Sequence, residues 1–569
     1  MKRREFIKKT ALAGAGAVVA ANELLSAPLI LTSKRTITNT EKGELIFKPY
    51  FIQDGAGPHL GMVKSFENIG SAEWDFPSWA FASDTEWDAF YSNIFATKEG
   101  VKISDTEGRD KFGINVRWNV EGFGYIYMTA DNAGEFYQLP KSGRFETLNL
   151  NLELAKSRAA KNRERIREFV KEGWSPSRDL KPYIDLSEEY LADAVKSQTD
   201  TEKCAKLSQQ SLYYSMWAGE KIEIEKAWFD IKRNEYRKDF FIGCDTDHYT
   251  DINNPDLFIE LFSELFNYAT ITHYLPHIQK EEGVYTYGDR DDRFRRLKEK
   301  GITVEGRPVF WADDCCTPNW LLKKSFPDVL KYVEKHAREV VGHYGDGMYA
   351  WEIINEAHDF SNAQKLVPDQ MVEIAKLIAD TVKDVNPKVH RLINNCCINA
   401  DYVQIINWKE YAKKFPLITP HQFIKMCHEA GVDFTITGQQ LYYQYTNRDI
   451  ADTIRMTERL KKFGRPVQIT EIGTTSGPTK ETVASGDYQI PKRPYSWHRE
   501  WDPDLQAEWM EQIYTVMYSK QWIEAINWYD FSDPFGFIPN GGLLANPQGE
   551  KKPIFERLKK LKKKWEETY

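Results

Sequence analysis

From residue 239 onward, short apolar runs alternate with longer amphipathic stretches. Runs at 240–244, 268–272, 303–310, 348–354, 391–395, 434–438, 467–470 and 525–529 have strand length and β-branched or aromatic content. Helical spacing of apolar positions falls between them, at 328–341, 369–385, 449–463 and 504–517, and a last helix is expected at 553–563. Eight strands, each followed by a helix, predict a (β/α)8 TIM barrel. The alternative is a doubly wound open sheet, but no Gly-rich phosphate loop follows any of the strands.

Upstream the pattern changes twice. Residues 44–139 alternate apolar and polar positions with period two, as in Gly113-Ile-Asn-Val-Arg-Trp-Asn-Val120, with Gly and Asp-Asn turns between segments. That reads as an all-β, sandwich-like domain. Exposed Trp74, Trp79, Trp87 or Trp118 would make it a carbohydrate-binding module; the plainer reading puts those rings in its core. Residues 152–234 are helical, with segments at 155–171, 186–195 and 202–232 whose Arg/Glu runs read as solvated faces. The expected domains are 1–27 (signal peptide), 44–150 (accessory β-domain), 151–237 (helical connector) and 238–569 (barrel).

Charge and cysteine content narrow the function. With 76 Lys+Arg against 84 Asp+Glu in 569 residues, the chain carries −8 and lacks the basic footprint of nucleic-acid binding. Lys2-Arg3-Arg4-Glu5-Phe6-Ile7-Lys8, the weakly apolar run 10–21 and small residues near Ala27 resemble a twin-arginine export signal. Its removal deletes five basic and two acidic side chains, taking the charge from −8 to −11. The run is too short to span a bilayer and no later stretch qualifies, so a periplasmic or secreted protein without a membrane span is expected. Cys204, Cys244, Cys315, Cys316, Cys396, Cys397 and Cys427 form neither a disulfide framework nor a zinc-ligand spacing. No metal or other cofactor is expected: His343, His358, Asp313 and Asp314 follow no ligand pattern.

The chemistry sits where strands end. Active sites of (β/α)8 barrels lie at the C-terminal face of the strands. Two candidate strands run into a glutamate there: Met348-Tyr-Ala-Trp-Glu-Ile-Ile-Asn-Glu356 and Val467-Gln-Ile-Thr-Glu471. Cleaving a glycosidic bond takes one carboxyl to protonate the leaving oxygen and a second, ionised one to attack or support the cationic carbon. Well-separated strands around one mouth can hold such a pair.

Trp351-Glu-Ile-Ile-Asn-Glu356-Ala357 resembles the acid/base motif of glycoside hydrolase family 10, the endo-1,4-β-xylanases (W-D-V-V-N-E-A). Ile469-Thr-Glu471-Ile472 resembles its nucleophile motif, I-T-E-L-D. Similarity extends over residues 239–565, through Gly306-Arg-Pro-Val-Phe-Trp311, Gly438-Gln-Gln440-Leu-Tyr442 and Ile526-Asn-Trp528-Tyr529. The resemblance implies a retaining hydrolase cleaving internal β-1,4 linkages of xylan or a related polysaccharide. Glu356 would be the acid/base and Glu471 the nucleophile, about 5–5.5 Å apart as in retaining enzymes. It further implies that Asn355 bonds the sugar 2-hydroxyl, that Gln440 and Tyr442 orient Glu471, and that Trp528 packs on the −1 sugar, with Trp311, Tyr274 and Asp313 as further substrate contacts.

The chain also departs from the family pattern. Arg307 and Ala312 stand where the family has histidines, Tyr274 aligns with its sugar-binding Lys, Tyr442 with its sixth-strand His, and Gly473 with its Asp. The catalytic pair is kept while the sugar contacts are rebuilt; Asp313, Asp314, His273 and Arg307 are candidate replacements. The alternative function is a non-catalytic glycan-binding protein on a divergent barrel.

Overall fold

The computed structural model describes residues 43–50, 80–97, 100–141, 143–252, 254–406, 414–444, 447–478, 495–534 and 536–568. The expected export signal, Trp74 and Trp79 lie outside these residues. Among the described residues no helix is long and apolar enough to cross a membrane.

Among the described residues the N-terminal part holds two four-stranded sheets, ordered β4 (Asn93–Thr97), β5 (Gly100–Asp105), β1 (Glu44–Lys48), β8 (Phe145–Asn149) and β3 (Ala89–Phe90), β2 (Phe81–Ser83), β6 (Gly113–Val120), β7 (Gly124–Ala130). In β1 the period-two pattern is clean, with Leu45 and Phe47 turned inward. In β6 nearly every residue is buried because both faces of that sheet are covered. One face shares a core with the other sheet and with the helices behind it, through Ile114, Trp118, Leu152 and Met216. The other carries Phe81 and Tyr127 against Tyr402, Val403 and Leu417 of the barrel. Trp118 is fully buried and donates to Gln209 Oε1 at 3.0 Å, so it is a core residue with no sugar-binding face. Trp87 is covered by Lys161, whose Nζ sits 3.8 Å from the ring centroid.

Three helices follow: α1 (Leu150–Lys171), α2 (Lys181–Lys196) and α3 (Thr201–Arg233). Asn149 and Asp200 cap α1 and α3 by accepting from Leu152 N and Lys203 N. Pro182 lies inside α2, where it opens the first turn, so that helix starts earlier than the expected 186. The basic stripe of α1 is not a solvated face. Arg158 pairs both guanidinium nitrogens with Asp449, at 2.9 and 2.6 Å, and lies 3.2 Å from Asp452, all three being buried. Arg165 forks onto Glu458 at 2.9 Å twice and also bonds Glu223. Two polar helix faces have become a single dry seam between α1 and the barrel helix Ile450–Glu458.

The barrel is closed and parallel: β9 (Phe241–Asp245), β10 (Tyr268–Thr272), β11 (Thr303–Arg307), β12 (Ala350–Asn355), β13 (His390–Asn394), β14 (Ile436–Tyr442), β15 (Val467–Gly473) and β16 (Ile523–Trp528), with β16 pairing back to β9. The strands are buried on both faces, as expected of a sheet wrapped in helices. Prolines at the first turn start the helices Pro255–Leu265, Pro368–Val385, Pro420–Glu429, Pro503–Ser519 and Pro553–Glu567. Two strands differ from the sequence expectation. β11 stops at Arg307 rather than 310 because Pro308 has no N–H for the ladder. β14 is displaced to 436–442: its polar Gln439 and Gln440 are inside, so hydropathy hides its second half.

The α1 seam carries a measurable share of stability. Arg158→Ala leaves Asp449 and Asp452 buried without their closest cation, and is expected to cost ~3–5 kcal/mol. Urea unfolding of the full chain measures it; a loss below ~1 kcal/mol would contradict the role given to the seam.

Candidate active site

Glu356 follows the last residue of β12 and takes a left-handed φ of 47°. That turn breaks the strand alternation and aims the side chain into a cavity at the C-terminal mouth of the barrel. Its backbone N–H donates to Asn394 O at 3.1 Å, which anchors the turn on β13. Gln440 Nε2 donates to Oε1 at 2.8 Å and Ser361 Oγ to Oε2 at 3.2 Å. Burial, then the neighbouring charges of Asp359 and Glu471, hold this carboxyl well above the usual range, so it is protonated near neutrality.

Glu471 lies on β15 and lines the same cavity. Its surroundings are of the opposite kind. Arg307 Nη1 reaches Oε1 at 2.5 Å, and Tyr442 OH donates to Oε2. Asn394 Nδ2 stands 3.4 Å from Oε1. Arg307 comes from β11, four strands from β15 in the closed ring, so the ion pair spans the barrel. The guanidinium also lies over the Tyr529 ring, 5.0 Å from its centroid. Below this level the interior holds two more carboxyls. Glu305 accepts from Tyr268 OH at 2.5 Å and burial pushes it up to about 7; Glu352 accepts from Asn394 Nδ2 at 3.0 Å and burial raises it well above the usual range. Both can stay neutral, leaving the charge of Arg307 to Glu471.

The expected site residues separate into those the cavity gathers and those it does not. Tyr274, Trp311, Asn355, Gln440 and Tyr442 line it together with the two glutamates. Asn355 is buried, and its Oδ1 has no hydrogen-bond partner among the described residues. Gln440 does not orient Glu471: its backbone is in register with Glu471, but its amide reaches Glu356. Trp528 is 1% exposed, donates to Gly541 O at 3.0 Å and packs on Trp509 and Tyr514; it faces the core beneath the cavity and presents no ring to it. Asp313 closes its own loop by accepting from Cys315 N at 2.9 Å. His273 is held between Ile271 O and Tyr344 OH, and burial keeps it neutral, so it is structural. Of the candidate replacements Arg307 alone, among the described residues, bonds either glutamate.

Asn394, Asp359, Tyr529 and Phe537 belong to the site but were not expected. Asn394 ends the apolar run of β13 and bonds two carboxyl groups, those of Glu352 and Glu471, and Asp359 sits three residues past Glu356. The polar ending of a buried strand was the available signal for Asn394. Asp359 is pushed up to about 7, chiefly by burial.

The environment of Glu356 gives a prediction with two signs. Asp359 raises its pKa and the Gln440 hydrogen bond lowers it. Asp359→Asn is therefore expected to move the Glu356 titration to lower pH, and Gln440→Leu to higher pH, in carboxyl-carbon NMR of the labelled protein. Shifts of the same sign would contradict this electrostatic account.

Residues 233–561 match the model of glycosyl hydrolase family 10. A β-1,4-xylanase of Dictyoglomus thermophilum is 29% identical over 124 residues, 22% of this chain and 34% of that protein. The match to endo-1,4-beta-xylanase B of Thermotoga neapolitana is 20% identical and covers 55% of this chain and 86% of the relative. The chain thus spans about a third of the first of these relatives and most of the second. Native xylanase 10B from Thermotoga maritima superposes with a TM-score of 0.44 at 18% identity, over 60% of this chain and 98% of that structure. The family model covers more than half of the sequence, so the chain belongs to glycosyl hydrolase family 10, as a divergent member.

Proposed function

We propose that this protein hydrolyses internal β-1,4 linkages of xylan or a related plant or algal polysaccharide with retention of configuration. Glu356 acts as general acid and then base, and Glu471 as the nucleophile. The observation that carries the reading is the contrast between two carboxyls in one cavity: one kept protonated by burial and neighbouring acids, the other paired with a fixed cation. A double displacement needs that division of labour. Protonated Glu356 gives its proton to the departing glycosidic oxygen while ionised Glu471 bonds the anomeric carbon. In the second half Glu356, now ionised, takes a proton from water, which releases the sugar from Glu471.

The neighbours support the same roles. Tyr442 and Arg307 hold one oxygen each of Glu471, fixing the carboxylate plane and limiting the motion needed for attack. Asn355 offers an unpartnered amide oxygen for a sugar hydroxyl, and Trp311 and Tyr274 present aromatic surface to the sugar. Export by the twin-arginine route belongs to this proposal and rests on residues 1–27. A binding-only barrel draws support from the replaced sugar contacts at Arg307, Ala312 and Gly473, but it gives no reason to keep one carboxyl of the cavity buried beside acids and the other paired with a cation.

Products from xylan, mixed-linkage glucan and arabinogalactan test the reading, with anomeric configuration followed by NMR. The expected result is oligosaccharides of retained configuration from one of these glycans, and a loss of about 10⁴-fold or more in Glu471→Ala. Glycan binding without turnover across the panel would favour the binding-only barrel. Full activity in Glu471→Ala would overturn the assignment.

A further inference from the structure

Cys396 and Cys397 follow β13 and both line the cavity that holds Glu356. Adjacent side chains on an extended segment point to opposite sides. Here Cys397 takes a φ of 52°, and the two sulfurs converge to 3.0 Å. Cys396 Sγ also donates to Asp359 Oδ2 at 3.0 Å. One donor atom from each of Asp359, Cys396 and Cys397 thus lies within 4.8 Å of the other two. Asp359 and Cys396 are buried and Cys397 is half-buried, so the cluster sits in the cavity wall with an approach from the cavity side. The sequence offered no metal-ligand spacing because the third donor comes from the loop after a neighbouring strand.

Two other clusters lack this combination. The sulfurs of Cys315 and Cys316 are 2.6 Å apart, but among the described residues the pair belongs to no three-donor group. Asp245, His248 and Asp530 are compact, yet the His248 ring already stands between Asp251 at 3.3 Å and Asp530 at 3.5 Å.

We propose that Asp359, Cys396 and Cys397 form a site for a thiophilic divalent cation of the zinc and cadmium class, and that its occupation inhibits the enzyme. Two sulfur donors and one carboxylate suit such ions over magnesium or calcium, which take oxygen ligands. Binding forms two metal–sulfur bonds and releases two thiol protons to solvent; the Asp359 carboxylate is the third ligand and water completes a tetrahedral shell. No redox change is involved. The ion fixes Asp359 and the cavity-lining segment after β13 beside Glu356, which obstructs the cleft. The inhibitory half rests on the catalytic reading of the cavity; the binding half does not.

Titrating the reduced full-length protein with cadmium, in a phosphine reductant that adds no thiol, tests both halves. The expected result is one equivalent bound, with thiolate-to-cadmium charge-transfer absorption in the ultraviolet. The band should be lost in Cys396→Ser and in Cys397→Ser, whose folding is verified by circular dichroism and thermal melting. It should persist in the Cys315→Ser/Cys316→Ser double variant. Turnover of the cleaved glycan should fall as this equivalent fills in the parent protein, and not in Cys397→Ser. Absence of the band, or a band that follows Cys315 and Cys316, would overturn the site. Stoichiometric binding at Cys396 and Cys397 with unchanged turnover would overturn the inhibition. Should no glycan be cleaved at all, the absorption still decides the binding half.

Discussion

A carboxylate cannot stay ionised inside a barrel without a partner, and in this protein the partner comes from the opposite wall. Arg307 on β11 crosses the interior to Glu471 on β15. Burying an ion of either sign alone costs several kcal/mol, so each depends on the other and on the distance between their strands. The rest of the interior is consistent with that pair. Tyr442 and Asn394 add one hydrogen bond each to Glu471 and leave a lone pair open toward the cavity, while Glu305 and Glu352 can be neutral and make no competing demand on the guanidinium. Glu356, outside that arrangement, has no cation bonded to it among the described residues and keeps its proton.

The N-terminal part contributes to the same geometry from outside. Arg448 lines the cavity, yet its guanidinium bonds Asn115 Oδ1 and Thr129 Oγ1 on β6 and β7, with Nε on Asn399 Oδ1. Asp449, the next residue, is clamped by Arg158 of α1. The segment between β14 and its helix is therefore held by both the β-sandwich and the helical connector. This explains why β6 is buried on both faces and why the Arg-rich face of α1 is dry: these elements buttress one wall of the cavity that holds Glu356 and Glu471.

Much of this was legible in the sequence, and the limits are physical. Eight apolar runs with helical patterns between them are enough to expect the barrel, since a parallel strand buried on both faces must be apolar. Glu356 and Glu471 stood out because each ends such a run with a charge. What strand patterning does not carry is which residue lies across the barrel: Arg307 was one of four candidates, and its partner depends on ring closure. Gln440 was expected on Glu471 from its place in a family motif, but its amide reaches Glu356 instead. Trp528 was expected against sugar on its position in a motif, whereas its indole N–H is satisfied by Gly541 in the core. The basic residues of α1 looked solvated because a sequence does not reveal that a second polar helix face will meet the first.

The central claim is that Glu471, charged and held by Arg307, bonds the anomeric carbon. Mass spectrometry after incubation with an activated 2-deoxy-2-fluoro glycoside of the cleaved sugar tests it most directly, because the fluorine slows the second step and lets the adduct accumulate. The account predicts one glycosyl group per chain, on the peptide that contains Glu471. An adduct on another residue, or inverted product with no adduct, would contradict it.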